Sequence, residues 1–202
     1  MPRTPEANEL IREERRAAIL ATAAHVFAQR GYVGTRISDI ADAVGMSKGL
    51  IYHYFPSKGQ VFAALVDQAA RGVVALLQAA LARPDAAGGK LRWLVEQEIA
   101  GLRDDADIFM VVLQAMMSDA VPREARRSAE ALVAETAGLM RELVLEGQAR
   151  GEVRAGDPDD LAAIVGTWLQ GLAVGAAMRP VAGRLPPAAS FADLFEGGGA
   201  RR

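Results

Sequence analysis

The groups with which this chain could act on a partner are concentrated in sixteen residues, Gly45 to Gln60, reading GMSKGLIYHYFPSKGQ. Two Ser-Lys pairs, Tyr52 and His53 have no obvious core to serve. Hydroxyls and ammonium groups hydrogen-bond phosphate oxygens, and aromatic or imidazole groups reach base edges, so the stretch reads as a surface that lies against DNA. Bond-breaking chemistry has far less to draw on. The chain contains two histidines and no cysteine. It has no H-E-x-x-H motif, no phosphate-binding glycine loop and no dinucleotide fingerprint. No nucleophile, base and orienting group can be assembled from it. An α-helical catalyst with an incidental turn motif is the competing class, and these absences count against it.

The reactive stretch needs a frame, and the flanking residues supply one. Ile37, Ile40, Ala41 and Val44 give a short helix an apolar face. Gly45 provides the left-handed residue that ends it, and Met46 fills the turn. Ser47 then caps a second helix whose Ile51 and Tyr54 or Phe55 point inward. Pro56 stops that helix, because proline lacks an N–H and disfavours helical geometry in the residue before it. This is helix-turn-helix spacing, with the second helix placed for the major groove. Thr35-Arg36, Ser47-Lys48 and Ser57-Lys58 each put a hydroxyl at a helix start and a cation one residue on. A hydroxyl cap stabilises a helix by about 1 kcal/mol. A cation there opposes the helix dipole at a cost of about 0.3–1 kcal/mol. Three such cations within twenty-three residues point to an external anion, for which DNA phosphate fits; three ordinary surface cations are the plain alternative.

Residues 15 to 62 resemble the N-terminal domain of the TetR family of bacterial transcriptional regulators. The matching pieces are AAILATAAHVFAQRGYVGT and ISDIADAVGMSKGLIYHYFPSKGQVF. The Phe-x-x-x-Gly-Tyr helix end, the Ile-Ala helix and the Ser-Lys-Gly…Tyr-His-Tyr-Phe…Ser-Lys run make the likeness more specific than a generic helix-turn-helix. The resemblance implies a three-helix DNA-binding head, a linking fourth helix and a larger body that binds an effector and dimerises. It implies phosphate contacts at Thr35, Ser47, Lys48, Tyr54 and Lys58. It implies a groove-facing surface at Ser38, Gly49, Leu50, Tyr52 and His53. Arg36 stands where a small hydroxyl residue is common, and we include it in the interface. Leu50 stands where Thr, Ser or Ala is frequent; it either reads a thymine methyl or packs inward. Tyr54 and Phe55 fit a partial core role equally well, and His25 fits a structural or solvated one. The likeness fades after about residue 75.

The rest of the chain is consistent with this division. Residues 1–60 carry eight Lys/Arg against six Asp/Glu, while residues 61–202 carry fifteen against nineteen. Absence of cysteine suits a reducing cytoplasm. Apolar residues recur at three- and four-residue steps throughout, giving an all-α fold of about nine helices. We expect the head at 8–56, the body at 57–196 and a frayed tail at 197–202. Helices are expected to start near 58, 88, 107, 123, 158 and 187. Leu161 to Met178 is eighteen residues without a charge, long enough to cross a membrane. Its five alanines, three glycines, Thr167 and Gln170 make a buried helix the better reading. No membrane partner and no cofactor are expected.

For the body, the resemblance implies a cavity for an apolar effector. Its candidate lining is Trp93, Gln97, Phe109, Met110, Leu113, Gln114, Met117, Met140 and Trp168, with Glu98 as a further polar group. Ordinary core filling explains any one of the Met and aromatic residues as well. Leu161, Ile164, Val165, Trp168, Leu172, Gly175 and Ala176 form a stripe suited to a self-complementary homodimer interface. Two reading helices held about one DNA turn apart would then recognise a pseudo-palindrome. The function expected is that of a DNA-binding regulator, most simply a repressor released by a small effector. A constitutive architectural DNA binder is the alternative.

Overall fold

A computed structural model describes residues 5–104 and 106–177. Eight helices follow in order: α1 Pro5–Gly34, α2 Ile37–Val44, α3 Lys48–Tyr54, α4 Lys58–Leu81, α5 Ala87–Asp104, α6 Ala106–Met117, α7 Arg123–Ala149 and α8 Pro158–Ala177. No strand pair longer than an isolated bridge occurs among the described residues, and the all-α expectation holds. The helix expected at 187–196, the tail at 197–202 and Asp105 lie outside the described residues.

The chain forms two compact units, one of residues 1–69 with 110–129 and the other of 70–109 with 130–202. The boundary differs from the expected break at 56. Helices α4, α6 and α7 each contribute residues to both units, so the division runs across helices rather than between them.

The first unit is built on apolar faces that the sequence period announces. Ile19, Ala23 and Phe27 of α1, Ile40 of α2, Ile51 of α3, and Val61, Phe62 and Val66 of α4 are fully buried. Phe27, Tyr32 and Phe62 form a ring cluster with centroid separations of 5.1 to 6.1 Å. Two glycines are required by the backbone. Gly31 interrupts α1 at φ 69°, ψ 166°, and Gly45 ends α2 in the left-handed region at φ 71°.

The second unit has one contiguous core from α4, α5, α7 and α8, centred on Leu77, Leu91, Leu94, Met140, Val144 and Val165. Lys90 is buried here with 3% of its surface exposed. Its ammonium donates to the Leu81 carbonyl at the end of α4 and to both carboxylate oxygens of Glu146 on α7, all at 2.8–2.9 Å. That one side chain satisfies a helix-terminal carbonyl and a carboxylate together.

Among the described residues, the helix that meets the length and apolarity of a membrane span is α4, with mean hydropathy 1.4 over its best window. Val61, Phe62, Leu65 and Val66 of α4 are buried among helices of this chain, as core positions are.

Candidate nucleic-acid interface

Three anchors hold α3 in place. Ile51 and Phe55 are buried on one side of it. Arg16 of α1 donates to the Tyr54 carbonyl at 3.4 Å and stacks over the Phe55 ring at 4.2 Å. At the other end the Ser47 hydroxyl accepts from the Leu50 N–H at 3.2 Å, capping the helix as expected. The remaining face of α3 is open: Lys48, Gly49, Leu50, Tyr52 and His53 are all exposed. Leu50 therefore points outward, with 40% of its surface accessible, and does not pack inward. Lys48 lies 5.9 Å from the Tyr52 ring, one turn along. His53 meets Tyr54 edge-to-face at 5.4 Å, and Tyr54 is half-buried. A short, firmly seated helix thus presents a cation, a phenol, an imidazole and an apolar group on one surface.

Residues at the helix starts divide. Ser57 accepts from the Gln60 N–H and caps α4 as expected. At α2 the expectation is corrected: the N-cap is Arg36, not Thr35. Thr35 is fully buried, and its hydroxyl donates to the Gly31 carbonyl at 2.7 Å. The broken end of α1 leaves that carbonyl needing a partner, and Thr35 supplies one. Asp39 serves α2 instead, accepting from the Arg36 N–H at 2.7 Å while pairing with Arg30 at 2.9 Å. Arg36 is exposed and Ser38 is half-buried.

Lys58 is also committed within the protein. Its ammonium donates to the carbonyls of Tyr32 and Thr35 at 2.8 Å and of Val33 at 3.4 Å, and sits 4.5 Å from the Tyr32 ring. All three donors are used on the end of α1. The expected phosphate contact at Lys58 is therefore not prepared in the free protein, and a cation capping helix carbonyls is the arrangement observed.

The candidate effector residues fall in both units. Trp93 and Trp168 are half-buried against the core of the second, with Arg83 over the Trp93 ring at 5.0 Å. Met140 is a core residue at 3% exposure, and Gln97 is exposed. Phe109, Met110 and Leu113 are half-buried, whereas Met117 is almost fully exposed at the end of α6. Gln114 is corrected from a ligand-orienting group to a backbone-binding one, since both ends of its amide bond the backbone of α1. Glu98 is half-buried, and the loss of solvation pushes its carboxyl pKa above the usual range. A native carboxyl that binds its proton more readily than the unfolded one lowers stability as pH rises through that raised pKa. Glu98→Gln is expected to raise the urea midpoint at pH 7 relative to wild type, with the gain vanishing near pH 4. A midpoint that falls at pH 7 would show that the charge is compensated.

The residues of the expected dimer stripe divide between buried and exposed positions. Leu161, Val165 and Leu172 are buried in the core of their own unit, and Trp168 is packed partly against it. Gly175 is half-buried, and the side chain of Ala176 lies outside the described residues. Among the described side chains of that stripe Ile164 alone is exposed, and Ala163, Thr167, Gln170, Gly171 and Val174 are exposed along α8 with it. From Leu161 onward α8 carries no charge, so the sequence gives no period from which to choose between these faces.

Comparison with known proteins agrees with this geometry. Residues 19–65 match the family model described as bacterial regulatory proteins, tetR family. The chain is 30% identical over 107 residues to the HTH-type transcriptional activator FasR of Mycolicibacterium smegmatis. That match spans 53% of this chain and about half, 49%, of that relative. It is 29% identical over 180 residues to the HTH-type transcriptional repressor Rv1474c of Mycobacterium tuberculosis, covering 80% of this chain and 94% of the relative. Among solved structures, the regulator PfmR from Thermus thermophilus superposes with a TM-score of 0.76 at 27% identity. That superposition covers 91% of this chain and 99% of the other.

Proposed function

We propose that this chain is a member of the TetR family of bacterial transcriptional regulators, as its likeness to the family model and to the repressor Rv1474c supports, and that it is a homodimeric repressor released from its operator by a small apolar effector. The observation that carries the proposal is the exposed face of α3, where Lys48, Leu50, Tyr52 and His53 surround a helix anchored by Ile51, Phe55 and Arg16. Lys48 and Arg36 supply charge for phosphates, and Tyr52 and His53 supply hydrogen bonds to base edges. Leu50 adds an apolar contact of the kind that recognises a thymine methyl.

A two-fold pair of such helices reads two half-sites about one DNA turn apart. The outward face of α8, with Ile164, Thr167, Gly171 and Val174, is the surface we assign to that pairing. Repression, rather than activation, is the reading supported by the repressor Rv1474c, of which 94% aligns with this chain. The effector acts by population shift, favouring a head spacing that no longer fits successive grooves. The protein acts on DNA in the cytoplasm and performs no catalysis.

Selection of bound genomic fragments at low salt tests the proposal, repeated with candidate apolar ligands. A recovered pseudo-palindrome that is lost with one ligand is the expected result. That ligand should also change the emission of Trp93 and Trp168, the chain's two tryptophans. Failure to retain any fragment at low salt, where the electrostatic attraction is strongest, would overturn it.

A further inference from the structure

We propose that Gln114 is a positioning residue through which α6 holds the DNA-reading head in its binding geometry. The inference rests on the regulator reading above and concerns how the head is held, not what the effector is.

The joint between α1 and α2 is a weak point by construction. Gly31 departs from helical geometry, so the helical hydrogen-bond ladder is interrupted there. Backbone groups near the break need partners from elsewhere, because a half-buried, unpaired N–H or C=O is costly. Three side chains supply them. The Gln114 carbonyl oxygen accepts from the Tyr32 N–H at 3.0 Å, and its amide nitrogen donates to the Phe27 carbonyl at 3.0 Å. From α4, Lys58 donates to the Tyr32 and Thr35 carbonyls. Thr35 closes the turn by donating to the Gly31 carbonyl. The Tyr32 residue is thus gripped at its N–H by α6 and at its C=O by α4, while its ring packs against Phe27 and Phe62.

The placement of Gln114 gives this grip a consequence. It is separated from its two partners by 82 and 87 positions in sequence, so the bonds join the head to a helix of the later chain. That helix begins with residues of the second unit and reaches Gln114 without a break. A glutamine amide has a fixed donor and acceptor, and both are satisfied only when α6 and the end of α1 keep one register. A shift of α6 by one hydrogen-bond length breaks both bonds and frees the α1–α2 joint, and with it the seat of α3.

A ligand-contacting role for Gln114 makes a different prediction. It would leave operator affinity intact in the absence of effector and alter only release.

The test uses the full chain and the operator fragment recovered by selection, with no effector present. Gln114→Met removes both bonds at similar volume, and Gln114→Glu keeps the acceptor for Tyr32 but loses the donor to Phe27. Affinity is expected to fall about 10- to 100-fold for Gln114→Met and by less for Gln114→Glu. The dependence of log affinity on log salt should keep its slope, because no phosphate contact is lost. Amide exchange at Tyr32 should accelerate in Gln114→Met and stay slow in Gln114→Glu. Two folded variants with wild-type operator affinity would overturn the proposal while leaving the regulator reading intact. A wild-type chain that retains no DNA would overturn the regulator reading and the proposal with it.

Discussion

Replacing Glu146 with alanine is expected to lower the free energy of unfolding by about 3 kcal/mol at pH 7, which is the lower end of the range for breaking a buried ion pair. The reason lies in what remains. Lys90 is 3% exposed and would keep a single partner, the Leu81 carbonyl, for a full charge. The lower end applies because the Glu146 side chain is 29% exposed and Arg150, at 2.8 Å, shares it. An exposed pair such as Arg83–Asp85 should cost only about 0–1 kcal/mol when removed. Hydrogen bonding from Lys90, followed by the charges of Lys90 and Arg150, holds the Glu146 carboxyl below its usual pKa. A depressed native pKa contributes stability above the unfolded value, near 4.3 for a glutamate, that is lost as pH falls through the native one. The penalty of Glu146→Ala should therefore be largest at neutral pH and shrink below about pH 4. Urea unfolding at pH 7 and pH 3.5 measures it. A loss below about 1 kcal/mol at pH 7 would show that Lys90 finds another partner or water.

The contrast between this pair and the head shows what sequence can and cannot convey. The helix-turn-helix was legible because its determinants are local: Ile40 and Ile51 at helical spacing, a glycine that must be left-handed, a serine cap and a proline stop. The exposed face of α3 followed from them. The intramolecular roles of Thr35 and Lys58 were not legible because their partners are not local. A hydroxyl and a cation at helix starts carry the same pattern whether they meet phosphate or the carbonyls at the broken end of α1. Nothing near residue 58 shows that Tyr32 and Thr35 lie beside it. Gln114 was placed among ligand residues for the same reason. Its neighbours Leu113 and Met110 have the composition of a pocket wall, and its partners are more than eighty positions away. In α8 the limit was different. Beyond the two aspartates of its first turn both faces look apolar, and only packing separates Leu161, Val165 and Leu172, which face the core, from Ile164 and Val174, which do not. Lys90 and Glu146, fifty-six positions apart, carried no sequence signal as a pair. A lysine two residues after Gly88 reads as surface until its burial is seen.

The central claim is that the exposed face of α3 reads DNA. Of its residues, Lys48 and Tyr52 are the cation and the ring that the fold does not use, since the ammonium of Lys48 approaches only the Tyr52 ring and Tyr52 is 45% exposed. Loss of a base-reading group costs about 1–3 kcal/mol, roughly 10- to 100-fold in affinity. Loss of a phosphate-binding lysine weakens binding to all sequences and reduces the salt slope by about 1. The most direct measurement is therefore the affinity of the Lys48→Ala/Tyr52→Ala double variant for the selected operator across a salt series. The account predicts a loss on the order of 100-fold or more from those two contributions together, a shallower salt slope, and an unchanged unfolding midpoint and oligomeric state. Wild-type affinity and slope in a folded double variant would contradict it, and the reading surface would have to lie elsewhere on the chain.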